Sequence, residues 1–94
     1  MKVSFYATLR PLVGSKTVDI PLRQGATLQA LVDAMIEKFP TLGPVLLNDA
    51  GELSRQVQLC VNGRNARFLD EGLDTPLTPT DKIDLFPAIA GGAR

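Results

Sequence analysis

Histidine and tryptophan are missing from this 94-residue chain, and cysteine occurs once. Without histidine, the common zinc ligand sets and His-based catalytic triads are excluded. Cys60 alone cannot close an internal disulfide or hold an iron–sulfur cluster. Most chemistries by which a small protein acts as an enzyme in its own right are thereby disfavoured. Charge of one sign is also lacking: ten basic residues balance ten acidic ones, with a pI near 6.1. The Lys and Arg residues are scattered, so no footprint for nucleic acid is present. No apolar run approaches the about 18 residues of a membrane span. Residues 1–9 alternate instead of forming an apolar stretch with a cleavage site, so no signal peptide is read and the cytoplasm is the expected compartment. At this length one modest core is possible, and a separate catalytic domain has no room.

Alternation is what the chain does have. Val3, Phe5, Ala7 and Leu9 alternate with Lys2, Ser4, Tyr6 and Thr8, the period of a strand with one buried face. Arg10 to Ser15 supplies turn chemistry, and Lys16 to Leu22 resumes the alternation through Val18 and Ile20, so a hairpin is predicted. Thr27 is placed to cap a helix whose apolar stripe is Leu28, Leu31, Val32, Met35, Ile36 and Phe39, with Pro40 setting its end. Pro44 to Leu47 suits a short helical turn within an irregular connection. Gln56 to Asn62 reads as a strand, Asn62-Gly63 as a hairpin turn, and Arg64 to Arg67 as a short return strand. Residues 68–80 are rich in turn signals, and Lys82 to Pro87 forms the closing strand with Ile83 and Leu85 inward. One domain over 1–87 and a flexible tail over 88–94 are expected, in the order β-β-α-β-β-β. One long helix would then lie on a mixed sheet of about five strands.

The tail is the most informative segment. Gly91-Gly92 contributes nothing to a core and costs more backbone entropy than other residues would. A segment without side chains can thread a channel too narrow for a Cβ and carry a terminal carboxyl to a reactive centre on another protein. A flexible end without function is the plain alternative for the two glycines on their own. Phe86, out of phase with Ile83 and Leu85, should project from the sheet face opposite the helix, either anchoring a partner or packing under a loop. Cys60, out of phase with Leu59 and Val61, reads as a small half-buried strand residue and not a reactive thiol. Arg64 and Arg67 read as solvated charges at a turn. Asp70, Glu71 and Asp74 lack the spacing of a calcium loop and read as solvated acids.

Leu85-Phe86-Pro87-Ala88-Ile89-Ala90-Gly91-Gly92 resembles the closing signature of the MoaD/ThiS family of ubiquitin-like sulfur carriers. Val61-Asn62-Gly63 and Phe5-Tyr6-Ala7-Thr8-Leu9-Arg10 are similar to further habits of that family, and the likeness covers nearly the whole chain. The resemblance is strongest to MoaD-like and CysO-like members. It implies an α+β β-grasp fold. It also implies a carrier that is not an enzyme, whose Gly92 carboxylate is adenylated by an E1-like enzyme and converted to a thiocarboxylate for a sulfur-acceptor enzyme. ATP is then used by the partner, and no cofactor or metal is expected on this chain.

Phe86, Pro87 and Ile89 become partner-binding candidates and Gly91 a spacer. Family carriers usually end at the second glycine, whereas Ala93 and Arg94 follow here and lock the Gly92 carboxyl in a peptide bond. The resemblance therefore implies cleavage between Gly92 and Ala93 by a JAMM-type metalloprotease. Neither nucleic acid nor a membrane is expected as a partner. The competing readings are a ubiquitin-like modifier joined to lysines through Gly92, a small subunit of a molybdopterin-synthase-like complex, and a passive β-grasp interaction domain. The biosynthetic pathway and the oligomeric state are left open by the sequence.

Overall fold

Val3 and Phe5 are completely buried in the first strand, β1 (Lys2–Phe5), in a computed structural model that describes residues 1–88. The strand stops four residues earlier than its alternation predicts. Ala7 turns into the left-handed region at φ 54°, and a 3-10 turn at Ala7–Leu9 runs directly into the one-turn helix α1 (Arg10–Val13). Pro11 fits there because the first helical turn has no use for its missing N–H. Leu9 is still buried at 4 % exposure, as expected, whereas Ala7, expected on the same inward face, is exposed because the backbone turns there.

The second strand, β2 (Thr17–Asp19), pairs antiparallel with β1 in the register Val3 to Val18. It is also shorter than the expected Lys16 to Leu22. The Ile20 N–H makes a last bond to the Met1 carbonyl at 2.7 Å, and Pro21 then has no donor to continue.

The main helix, α2 (Leu28–Lys38), begins where predicted, with the Thr27 hydroxyl accepting the Ala30 N–H at 3.2 Å. Leu28, Leu31, Val32 and Met35 are fully buried beneath it, and Ile36 and Phe39 pack partly buried at the margin of the same core. Phe39 leaves helical space before Pro40, as the proline requires. A 3-10 turn at Pro40–Leu42 and the short helix α3 (Gly43–Leu46) follow.

β3 (Val57–Val61) and β4 (Arg64–Asn65) form the predicted hairpin through Asn62 and Gly63, both at positive φ (53° and 85°), the conformation that a tight two-residue turn demands. The return strand is two residues long and does not reach Arg67. The Asn65 side chain accepts the Arg67 N–H at 3.0 Å and caps a 3-10 turn over Ala66–Phe68 instead. The turn-rich stretch beyond it holds another 3-10 turn at Gly72–Asp74.

The last strand, β5 (Ile83–Pro87), enters the middle of the sheet, parallel to β1 and antiparallel to β3. The order is β2-β1-β5-β3-β4. Because β5 is central, both of its neighbours fix its direction, and whatever follows Pro87 leaves from a defined place.

Candidate functional site

The sheet holds the chain's end up to the last described residue. Pro87 lies opposite Val57, and the Ala88 N–H donates to the Gln56 carbonyl at 2.8 Å. On the other side the Tyr6 N–H donates to the Leu85 carbonyl at 3.1 Å. The tail therefore leaves between the end of β1 and the start of β3. The proposed carrier and processing residues Gly91, Gly92 and Ala93, and the partner candidate Ile89, lie outside the described residues.

Period-two geometry sends Ile83 and Leu85 into the core, as predicted, and puts Asp84 and Phe86 on the face turned away from α2. Phe86 does not stand free. Its ring stacks on Tyr6 with centroids 4.3 Å apart and planes 14° from parallel, leaving both side chains partly exposed. The Arg10 guanidinium sits 5.8 Å from the Tyr6 ring centre, while its Nε donates to the Phe5 carbonyl at 3.0 Å. Pro87 adjoins this stack at the exit.

The Tyr6 hydroxyl donates to Asp84 Oδ1 at 2.9 Å. That hydrogen bond, then burial, then the charge of Asp84 raise the phenol above its ordinary range, because a phenolate beside a carboxylate is repelled. Cys60, directly opposite Asp84 across the β3–β5 pair, is partly buried, and burial followed by the Asp84 charge pushes its thiol up. This agrees with the reading of Cys60 as an unreactive strand residue.

Sequence reasoning missed two features here. Asp84 was legible in principle, since a charged residue at the centre of an apolar closing strand is unusual, but its burial was not. The role of Tyr6 depends on the parallel pairing of β1 with β5, which brings its ring against Phe86 and its hydroxyl to Asp84. Arg67 is exposed at its turn, as expected, and its Nη2 also donates to the Ser54 carbonyl at 2.6 Å, tying the 3-10 turn to the segment before β3. Asp70, Glu71 and Asp74 are exposed around the following turn. No group of three metal-ligating side chains occurs among the described residues.

A family model described as "ThiS family" matches residues 3–92. The chain belongs to the ThiS family. Small archaeal modifier protein 3 of Haloferax volcanii is 32 % identical over 92 residues, covering 98 % of each chain. Sulfur carrier protein CysO of Mycobacterium tuberculosis is 32 % identical over 93 residues, covering 96 % of each. The crystal structure of SAMP1 from Haloferax volcanii superposes with a TM-score of 0.82 at 29 % identity, covering 98 % of each chain. The fold is accordingly the ubiquitin-like β-grasp, α+β with a mixed five-stranded sheet. Sulfur carriers and small modifiers are the kinds of protein that this ThiS-family chain resembles along its whole length. Among the described residues, no helix is long and apolar enough to cross a membrane.

Proposed function

We propose that this ThiS-family protein is a sulfur carrier that works through the main-chain carboxyl of Gly92. The observation that supports this most is the reach of the family match, which runs through the tail and stops at Gly92. The central strand β5 delivers that tail from a fixed exit, and Phe86 and Pro87 sit at the exit as contacts for a partner.

Ala93 and Arg94 must first be removed by hydrolysis of the Gly92–Ala93 peptide bond, a step suited to a JAMM-type metalloprotease. The freed carboxylate attacks the α-phosphate of ATP on an E1-like enzyme, forming an acyl-adenylate and releasing pyrophosphate. Hydrosulfide sulfur then attacks the acyl carbon and AMP leaves, giving a thiocarboxylate. Its sulfur is a nucleophile for the same reason that a thiolate is, and passes to an acceptor enzyme. The two glycines let the tail enter the partner's site without a Cβ in the way.

Intact-mass spectrometry of protein recovered from its native host tests the reading. Loss of Ala-Arg together with replacement of one oxygen by sulfur is the expected result. Gly92→Ala should fold normally and fail to load. Material that never loses the last two residues yet sustains its pathway would sink the proposal. The small archaeal modifier relatives favour a second reading, an isopeptide bond from Gly92 to target lysines. Lysine-linked adducts in place of the sulfur gain would select it.

A further inference from the structure

Asp84 is the one charged side chain buried among the described residues, at 6 % exposure, although it lies on the sheet face turned away from the helix. Its Oδ1 is held by Tyr6, and Oδ2 has no hydrogen-bond partner among the described residues. No Lys or Arg among them lies within ion-pair distance of it, the sole such pair being the amino terminus with Asp19. A carboxylate removed from water without a counter-ion weakens a fold, and Tyr6 satisfies only one of its two oxygens. Its strand neighbours in register are small, Ser4 on β1 and Cys60 on β3, and both are partly exposed. Toward the tail exit the same face carries the stacked rings of Tyr6 and Phe86.

A single unpaired anionic oxygen beside aromatic rings is the chemistry that receives a slim cation. We propose that the outer sheet face binds a lysine side chain of a protein partner, with the ammonium on Asp84 Oδ2 and the aliphatic stem along Tyr6 and Phe86. Lysine fits better than arginine because its point charge needs one oxygen, whereas a guanidinium fork favours two, and Tyr6 already holds the other. The inference rests on reading the Phe86 face as a partner surface. It does not depend on the sulfur chemistry.

Titration of the full-length, isotope-labelled protein with Nα-acetyl-lysine methylamide, followed by amide chemical shifts, tests it independently of any partner. Shifts clustered at Ser4, Tyr6, Cys60, Asp84 and Phe86 are expected. Asp84→Asn, whose own amide spectrum reports whether it folds, should weaken them by about tenfold, the loss of one charge-assisted contact. The neutral Nε-acetylated form of the probe should leave them still. Tyr6→Phe frees Oδ1 and should shift preference toward the matching arginine probe. Shifts that persist in Asp84→Asn, appear equally with the neutral probe, spread over the exposed carboxylates or fail to appear would overturn the proposal. A stronger response to arginine than to lysine in the unmutated protein would overturn the lysine assignment. A negative mass-spectrometric result for the thiocarboxylate would leave this titration unchanged, so the two readings fail separately.

Discussion

Tyr6 joins three things at one side chain: a hydrogen bond to a buried carboxylate, a stacked ring and an overlying guanidinium. It is also the only tyrosine, in a chain without tryptophan, so its ionisation can be read directly by ultraviolet absorbance. The Asp84 hydrogen bond, with burial and charge behind it, raises the folded phenol above its unfolded value. Its stabilising effect is thus complete below the unfolded pKa of about 10 and fades as pH rises through the higher folded value. Absorbance titration should place the Tyr6 transition above that of the urea-unfolded chain, and Asp84→Asn should bring the two closer together. Coincident transitions in the unmutated protein would mean that the hydroxyl does not face a carboxylate in solution.

Two short polar devices set where the elements begin and end. The Thr27 hydroxyl satisfies a donor that the first turn of α2 cannot, so Thr27→Ala should cost about 1 kcal/mol in urea unfolding with an unchanged slope. At the far end of the sheet, Asp81 accepts the Thr78 N–H at 2.7 Å and the Asn62 amide at 2.9 Å, while Asn62 Oδ1 accepts the Lys82 N–H at 2.8 Å. This clamp ties the β3–β4 turn to the entry of β5. The Thr78 N–H and then the Asn62 amide lower the Asp81 carboxyl below its ordinary value. Stability from the clamp is therefore present above the unfolded carboxylate pKa of about 3.9 and is lost as pH falls through the lower folded one. In acid unfolding, Asp81→Asn should be less stable near neutrality by about a few tenths of a kcal/mol, with the difference shrinking as pH falls through the lowered folded value. A constant difference across that range would remove Asp81 as the titrating group.

For the molecule as a whole, the apolar core and the proposed working end are separable. Every member of the buried apolar cluster lies between Val3 and Leu85, and β5 is secured on both edges before the tail begins. Truncation after Ala88 should abolish loading while moving the thermal midpoint by far less than the about 4–8 °C that a loss of 1 kcal/mol produces at this size. A larger drop would show that the tail packs on the domain. The placement of β5 between β1 and β3 also gives the end of the described chain a firm base: a strand at the centre of a sheet has no free edge along which to slip.

Much of this architecture was legible in the residues themselves. Periods of two and 3.6 located the strands, the helix and most of the core but not Leu42, Leu46, Ala66 and Leu77, which lie in stretches of irregular pattern, and Thr27, Pro40 and Asn62-Gly63 marked boundaries by local chemistry alone. The closing run from Leu85 to Gly92 pointed to the family without any coordinates. The ends of β1 and β2 were misjudged because alternation persists through Leu9 and Leu22, while the backbone obeys Ala7, Pro11 and Pro21. Strand pairing joins residues far apart in the chain, and no local period encodes which neighbours meet. Only the tertiary structure could set Tyr6 against Asp84 and Phe86, 78 positions separating the first pair, and so bury a charge on the face turned away from the core.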